Sequence, residues 1–255
     1  MFRNPLKARL QSGDGGCSFG IFIGFPSTAM VEMAGYNGFD AVVIDNEHGM
    51  FSEENVEHMI IAAENAGLTP LVRVVSGEPA EILKAMDRGA RGVHVPQVDT
   101  REKAEKIVEA VKYPPMGKRG AAFSMRAARY GTIPVDQYLE QANEQSLVVI
   151  HVESEKAVAN LEDIVTVKGI DMIYIGPTDL SVSLGCQGNI EHPDVLAAID
   201  QIRETTKKHG IKLGIHVKDG DGARKRKEWG ADYVCLTVTS LINGAFAQYI
   251  RTAKS

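Results

Sequence analysis

The chain holds one tryptophan and three cysteines, and aromatic residues make up only 6% of it. Cys17, Cys186 and Cys235 are odd in number and form no Cys-x-x-Cys pair, which suits a reducing compartment and argues against a thiolate zinc site. No apolar run approaches the ~18 residues of a membrane span, and the opening "MFRNPLKARLQSGDGG" lacks the apolar block of a signal peptide. A cytoplasmic protein with no membrane partner is expected. An excess of positive charge is lacking too: 28 Lys and Arg face 33 Asp and Glu, and a net charge of -5 gives no general attraction for nucleic acid or anionic lipid. The one basic run, Arg224 to Lys227, falls in a predicted helix and reads as a solvated face. "GDGGCSFG" lacks the third glycine of a dinucleotide fingerprint and precedes a strand, and "DGDG" at Asp219 lacks the other ligands of an EF-hand.

What is present is a core-forming composition and a beat. With 255 residues, 44% of them hydrophobic and 24% charged, the chain is too apolar for disorder and has the length of one α/β barrel. Six times a helical pattern ends in glycine and a short apolar run follows: Gly38 before "FDAVVID", Gly67 before "LTPLVRV", Gly89 before "ARGVHVP", Gly169 before "IDMIYIG", Gly210 before "IKLGIHV" and Gly230 before "ADYVCLT". Glycine closes helices because it takes the left-handed conformation without a side-chain penalty, and a short loop then feeds a strand. "FGIFIG" and "LVVIHVE" bring the strands to eight. Strands alternating with helices give a parallel sheet, and eight such units predict a single-domain (β/α)8 TIM barrel, with a doubly wound open sheet as the alternative. The segment 113–146, with "YPPMGKRG", is longer than a simple connection and predicts a long loop plus an extra helix.

In a barrel, chemistry is built at the C-terminal ends of the strands. There the sequence sets Asp45 to His48, Arg73, Gln97, Glu153, the run Gly176-Pro177-Thr178-Asp179, and His216 with Lys218. Taken singly, Asp45 reads equally as a turn cap, Glu47 as a solvated acid and Asp179 as a helix cap. Arg73 and Glu153 are harder to set aside, because a charge closing an apolar strand needs a partner or a ligand. As a set, Glu153 and Asp179 offer hard oxygen ligands to Mg²⁺ or Mn²⁺ with positions left open for a 2-oxo acid. Arg73 can place positive charge beside a developing enolate, and His48 can move a proton.

The segments "FDAVVIDNEHG", "PLVRV", "AMDRGARGVHVPQV", "KYPPMGKRG", "VIHVES" and "IGPTDLSVSLG" resemble, in order and spacing, the class II (metal-dependent) pyruvate aldolases, which include 4-hydroxy-2-oxoheptanedioate aldolase and 2-dehydro-3-deoxyglucarate aldolase. The resemblance implies cleavage of a 4-hydroxy-2-oxo acid to pyruvate and an aldehyde with Mg²⁺, Mn²⁺ or Co²⁺. It makes Glu153 and Asp179 the metal ligands, His48 the acid/base and Arg73 the group that stabilises the enolate. Asp87 matches a residue that raises the basicity of the histidine, and Asp45 one that orients it. Gly176, Thr178 and His151 fall at substrate-binding positions, with the Thr178 backbone at the pyruvate carboxylate. The chain departs from the family's usual residues at Asn46 (often Gly), His151 (often Gln) and Thr239 (often Asp). Hexamers with an exchanged C-terminal helix are implied as well, so the segment 240–255 is expected to pack on a neighbour. The rival readings are a Schiff-base aldolase using Lys218 and a non-catalytic barrel that binds a small molecule.

Overall fold

A computed structural model describes residues 3–13 and 16–255; the centre of "GDGG", where the sequence shows no dinucleotide fingerprint, lies outside the described residues. Eight strands, β1 (Ser18–Ile23), β2 (Ala41–Asp45), β3 (Thr69–Arg73), β4 (Gly92–Val95), β5 (Leu147–Val152), β6 (Met172–Ile175), β7 (Lys212–His216) and β8 (Tyr233–Thr237), pair in parallel in sequence order. β1 also pairs with β8, so the sheet closes as the TIM barrel expected and the open-sheet alternative falls.

Before the barrel comes α1 (Pro5–Gln11). The helices α2 (Thr28–Tyr36), α3 (Glu53–Asn65), α4 (Pro79–Asp87) and α5 (Arg101–Val111) follow β1 to β4. Segment 113–146 carries a 3₁₀ stretch, Arg126–Gly131, and α6 (Val135–Gln145). After β5 come α7 (Glu155–Ala159) and α8 (Leu161–Ile164), after β6 come α9 (Pro177–Ser183) and α10 (Pro193–His209), and α11 (Gly220–Trp229) and α12 (Val238–Lys254) follow the last two strands. No helix among the described residues is long and apolar enough to cross a membrane. All six glycines of the repeating beat have positive φ, from 67° at Gly210 to 103° at Gly230, the conformation that ends each helix and turns the chain into the next strand.

Successive side chains of a strand point to opposite faces, and this alternation builds two cores. Val42, Ile44, Val72, Val93, Val148, Ile150, Ile173 and Ile215 point outward and meet the buried stripes of the helices. Inside, Ala41, Val43, Leu71, Leu147, Val149 and Met172 fill the barrel with Phe22, Tyr174 and Tyr233. The tyrosines need space. A Cβ on Gly214 would stand 2.7 Å from Tyr174 Cδ2, and one on Gly20 would overlap the Tyr233 hydroxyl.

The lower end is plugged by α1, whose Leu6 and Leu10 join the interior cluster. Polar anchors fix the plug to the starts of the strands. The Asn4 side-chain amide donates to the Arg91 and Gln145 carbonyls at 2.9 and 2.8 Å, and Lys7 Nζ donates to the Ser146 carbonyl at 2.8 Å and pairs with Asp171 at 2.7 Å. Closed below, the barrel can admit a ligand only from the strand C-terminal ends.

Candidate active site

Following the interior columns upward by twos gives the site. Ala41 and Val43 lead to Asp45, Leu71 to Arg73, Val149 to His151 and Glu153, Met172 to Tyr174 and Gly176, Gly214 to His216, and Cys235 to Thr237. The top layer is therefore the continuation of the packed interior, with polar side chains substituted where the barrel opens. A cavity of about 160 Å³ lies there, lined by Phe22, Asp45, His48, Arg73, His151, Glu153, Tyr174, Gly176 to Asp179, His216 and Thr237. A larger cavity of about 500 Å³ opens beside α3 and the 3₁₀ stretch, walled by Arg3, Arg91, Arg126 and Arg129. None of the strand-end acids lines it, so volume does not identify the site.

Asp45 and Arg73 are register partners on β2 and β3. Arg73 Nε donates to Asp45 Oδ1 at 2.8 Å and Nη2 donates to Oδ2 at 2.7 Å, while Nη1 lies 3.1 Å from Glu47 Oε2. Burial opposes the charge on Asp45, but the hydrogen bonds and charge of Arg73 outweigh it and hold the carboxyl below its usual range. Burial instead pushes the Glu47 carboxyl up, against the pull of Arg73. Asp45 Oδ1 also accepts the His48 backbone N–H at 3.4 Å, which ties the loop after β2 to the same carboxylate. The His48 side chain is 66% exposed at the mouth, its Nε2 3.7 Å from Glu47 Oε2.

Glu153 is buried, and both of its oxygens are engaged. Oε1 accepts the Gln97 backbone N–H at 2.8 Å, and Oε2 lies 3.3 Å from His151 Nδ1. Gln97 has φ of 54°, a left-handed conformation unusual outside glycine, and this turn aims its N–H at the carboxylate. Burial opposes ionisation of Glu153, but His151 and the Gln97 N–H outweigh it and hold the pKa below the usual value. Because an ionised Glu153 can only accept, His151 Nδ1 donates to it, and His151 Nε2 shares a hydrogen bond of 3.0 Å with His94 Nδ1. His94 Nε2 is buried without a partner. Burial lowers the His94 pKa well below the ordinary imidazole value, with His151 and Arg73 adding to the effect. His216 is likewise lowered, to about 4, by burial and then by Arg73 and His151; its two nitrogens face the Tyr174 and Thr237 hydroxyls, each at 3.2 Å.

The two acids that the sequence offers to a metal converge. A Cβ on Gly176 would stand 2.7 Å from Glu153 Oε2 and 3.6 Å from Asp179 Oδ2, so the missing side chain leaves room between two carboxylates. A divalent cation fits this donor set and this gap. Thr178 lines the same cavity from the first turn of α9.

Asp87 does not join the others. It ends α4 at 2.7 Å from Arg119 Nη2, and the Arg119 guanidinium lies over the Tyr113 ring, 4.6 Å from its centroid. α4 starts at the loop after Arg73 and runs toward the start of β4, so Asp87 stands at the opposite end of the barrel from His48. Lys218 is exposed and no lysine lines the cavity among the described residues. Of the departures from the usual family residues, Thr239 is exposed on α12, and Asn46 donates its backbone N–H to the Arg73 carbonyl at 2.9 Å. His216 was placed at the rim by the sequence but given no role, and His94, Tyr174 and Thr237 were not singled out from it. Stepping by two from the small interior residues of each strand is the signal that finds them.

A closed parallel barrel that carries its charged side chains on the rim of the strand C-terminal ends has the architecture of a β/α-barrel enzyme. Residues 18–243 match the HpcH/HpaI aldolase/citrate lyase family, and the chain belongs to it, and so to the class II pyruvate aldolases, which are carbon–carbon lyases. The chain is 36% identical over 243 residues to a 2-keto-3-deoxy-L-rhamnonate aldolase of Salmonella gallinarum, covering 95% of this chain and 90% of that protein. Among solved structures, it is similar to an HpcH/HpaI aldolase/citrate lyase family protein of Burkholderia cenocepacia J2315, with 33% identity, a TM-score of 0.93, and 99% and 100% of the two chains covered. A citrate synthase, SbnG, superposes with a TM-score of 0.89 at 32% identity over 99% and 98% of the two chains.

Proposed function

We propose that the protein reversibly cleaves a 4-hydroxy-2-oxo acid to pyruvate and an aldehyde. One observation carries this reading: Glu153 and Asp179 converge on the open face of Gly176 in a cavity where Asp45 and Glu47 already occupy the one guanidinium, Arg73. Two converging acids with no arginine or lysine among the described residues bound to either call for a cation, and an all-oxygen pair suits Mg²⁺, Mn²⁺ or Co²⁺. Such an ion, when bound, would polarise the 2-oxo group and offset the charge of the enolate.

The chain's own groups do the rest. Thr178 and Asp179 carry backbone N–H groups in the first turn of α9 that have no partner within the helix, and these receive the substrate carboxylate. Arg73 spends two of its five N–H groups on Asp45, and its remaining N–H groups, beside Glu47, serve the oxygen that becomes the enolate. His48, at the mouth, removes the C4 hydroxyl proton as the C3–C4 bond breaks, and protonation at C3 releases pyruvate. His151, with its donor committed to Glu153, keeps that carboxylate in place beside the oxo acid.

Two features favour an assembly of identical subunits. On α12, Ile242, Phe246, Tyr249 and Ile250 recur at helical spacing; Phe246 and Tyr249 are 66% and 73% exposed, a stripe suited to packing on a neighbour. Asp87, remote from His48 of its own chain, can support a histidine only across a subunit interface. We read segment 240–255 as the exchanged helix.

The deciding experiment measures pyruvate release from a panel of 4-hydroxy-2-oxo acids that includes 2-keto-3-deoxy-L-rhamnonate, with and without Mg²⁺ or Mn²⁺. Metal-dependent pyruvate release is expected. Release that persists after chelation, or trapping of pyruvate on the protein by borohydride, would assign the chemistry to a Schiff base instead.

A further inference from the structure

The loop between α9 and α10 lies on the same rim as the active site and carries a second group of metal-ligating side chains. Cys186, His192 and Asp194 each offer one donor atom, and these atoms all lie within 4.8 Å of one another. Cys186 and His192 are half-buried and Asp194 is exposed. His192 Nδ1 stands 3.6 Å from Asp194 Oδ2. Bond lengths of ~2.0 to 2.3 Å to a tetrahedral zinc set neighbouring donors roughly 3.3 to 3.7 Å apart, so this pair has the required spacing already. Bringing in the third donor takes about 1 Å, within the reach of a side-chain rotation in a half-exposed loop.

We propose that Cys186, His192 and Asp194 form a cation site for Zn²⁺ or a similarly thiophilic divalent ion, separate from the carboxylate pair. The absence of a Cys-x-x-Cys pair excludes a centre built on paired thiolates; it leaves room for this mixed set, with a fourth position open to water. The backbone presents the ligands without a metal. The Cys186 N–H donates to the Ser181 carbonyl at 2.7 Å, and the Cys186 carbonyl accepts the Asn189 N–H at 2.9 Å, while His192 caps the first turn of α10 through a 3.3 Å bond from the Asp194 N–H to Nδ1. Ligation through Nδ1 replaces that long cap bond with a metal bond. Sulfur makes the two sites chemically different: thiolate and imidazole select a borderline ion, whereas Glu153 and Asp179 offer only hard oxygens. A cation here clamps the end of α9 to the start of α10, and α9 carries Asp179. The proposal does not depend on the aldolase reading.

The test is a Co²⁺ titration of the reduced, chelator-stripped full chain in saturating Mg²⁺, followed in the near ultraviolet, where only a thiolate-to-cobalt bond gives charge-transfer absorption. One equivalent should develop the band and Zn²⁺ should remove it. Cys186→Ser should lack the band, and His192→Ala should bind cobalt at least ~10-fold more weakly, a loss seen even for outer partners of metal ligands. Glu153→Gln should keep it. Circular dichroism reports the folding of each variant. The proposal falls if saturated wild-type protein shows no band, if the band survives Cys186→Ser, which would assign it to Cys17 or Cys235, or if Glu153→Gln abolishes it.

Discussion

Replacing Arg73 by alanine removes the one cation that compensates Asp45 and Glu47. The three side chains are 13%, 8% and 11% exposed, so neither carboxylate can recover full hydration when the guanidinium goes. A surface pair would contribute at most ~1 kcal/mol, but leaving one partner of a buried pair uncompensated typically costs about 3 to 5 kcal/mol. We expect a loss in the upper range at pH 7, read by urea unfolding at fixed protein concentration. The loss should shrink on acidification. In the parent, Asp45 has a depressed pKa, so its stabilising effect is present above the unfolded value of 3.8 and fades as pH falls through the folded value. In the variant the two acids, now without Arg73, take up protons more readily and the penalty disappears over the same descent. Asp45→Ala and the double variant complete the cycle, and coupling of several kcal/mol isolates the pair. Activity adds an independent arm, because aldol cleavage and the exchange of pyruvate methyl protons with solvent share one enolate and should slow together. A loss under about 1 kcal/mol at pH 7, or one that does not change with pH, would refute a buried, charge-compensating role for Arg73.

The imidazoles should give a second acid-sensitive window. His216 has a folded pKa of about 4 against an ordinary 6.5, so the unfolded chain binds the extra proton between those values and stability falls with pH by up to roughly 3 kcal/mol, with His94 acting in the same direction; His216→Phe should flatten that slope in unfolding curves measured from pH 7 to 4. Chelation should abolish turnover and Mg²⁺, Mn²⁺ or Co²⁺ should restore it, whereas Glu153→Gln or Asp179→Asn should lose Mn²⁺ binding in calorimetry with an unchanged circular dichroism spectrum; tight binding by either variant would remove that residue from the ligand set. His48→Ala should slow cleavage by on the order of 10²- to 10⁴-fold while leaving pyruvate affinity near that of the parent, and cleavage at the parental rate would reduce the loop after β2 to a structural cap.

The strand count was legible because six of the helix-to-strand joints use a left-handed residue, which glycine advertises in the sequence, whereas the joint into β5 passes through Ser146 in an extended conformation and left only the apolar run as its signal. The charged rim was legible because Arg73 and Glu153 end apolar runs, where a charge without a partner would be costly. The pairing of His94 with His151 was not. It depends on β4 and β5 being adjacent and in register, with His94 opposite Val149, and on both rings pointing inward; the motif "GVHVP" alone is silent on either point. Glu47 reads from the sequence equally as a solvated acid or a site residue because a loop residue has no fixed side, and the turn after Asp45 folds it back against Arg73.

Asp87 marks the place where sequence adjacency misleads most. Its motif lies close to the Arg73 strand in the chain, which suggests proximity to the rim. A helix that leaves the rim after a strand must return to the opposite end before the next strand can begin, and Asp87 is the last residue of such a helix, bonded there to Arg119. If it serves His48, the carboxylate comes from a neighbouring subunit, and mixing two defective chains separates the possibilities. Asp87→Asn should shift the rising limb of the pH–rate profile to lower pH, because a nearby carboxylate raises an imidazole pKa. His48→Ala subunits have dead sites but intact Asp87. Co-expressed with an excess of His48→Ala chains, Asp87→Asn subunits should recover the parental limb, since their working sites then face an intact carboxylate. A limb that stays at the Asp87→Asn position in such mixed assemblies would mean that Asp87 acts within its own chain or only holds Arg119, and Glu47, 3.7 Å from His48 Nε2, would become the imidazole's carboxylate partner.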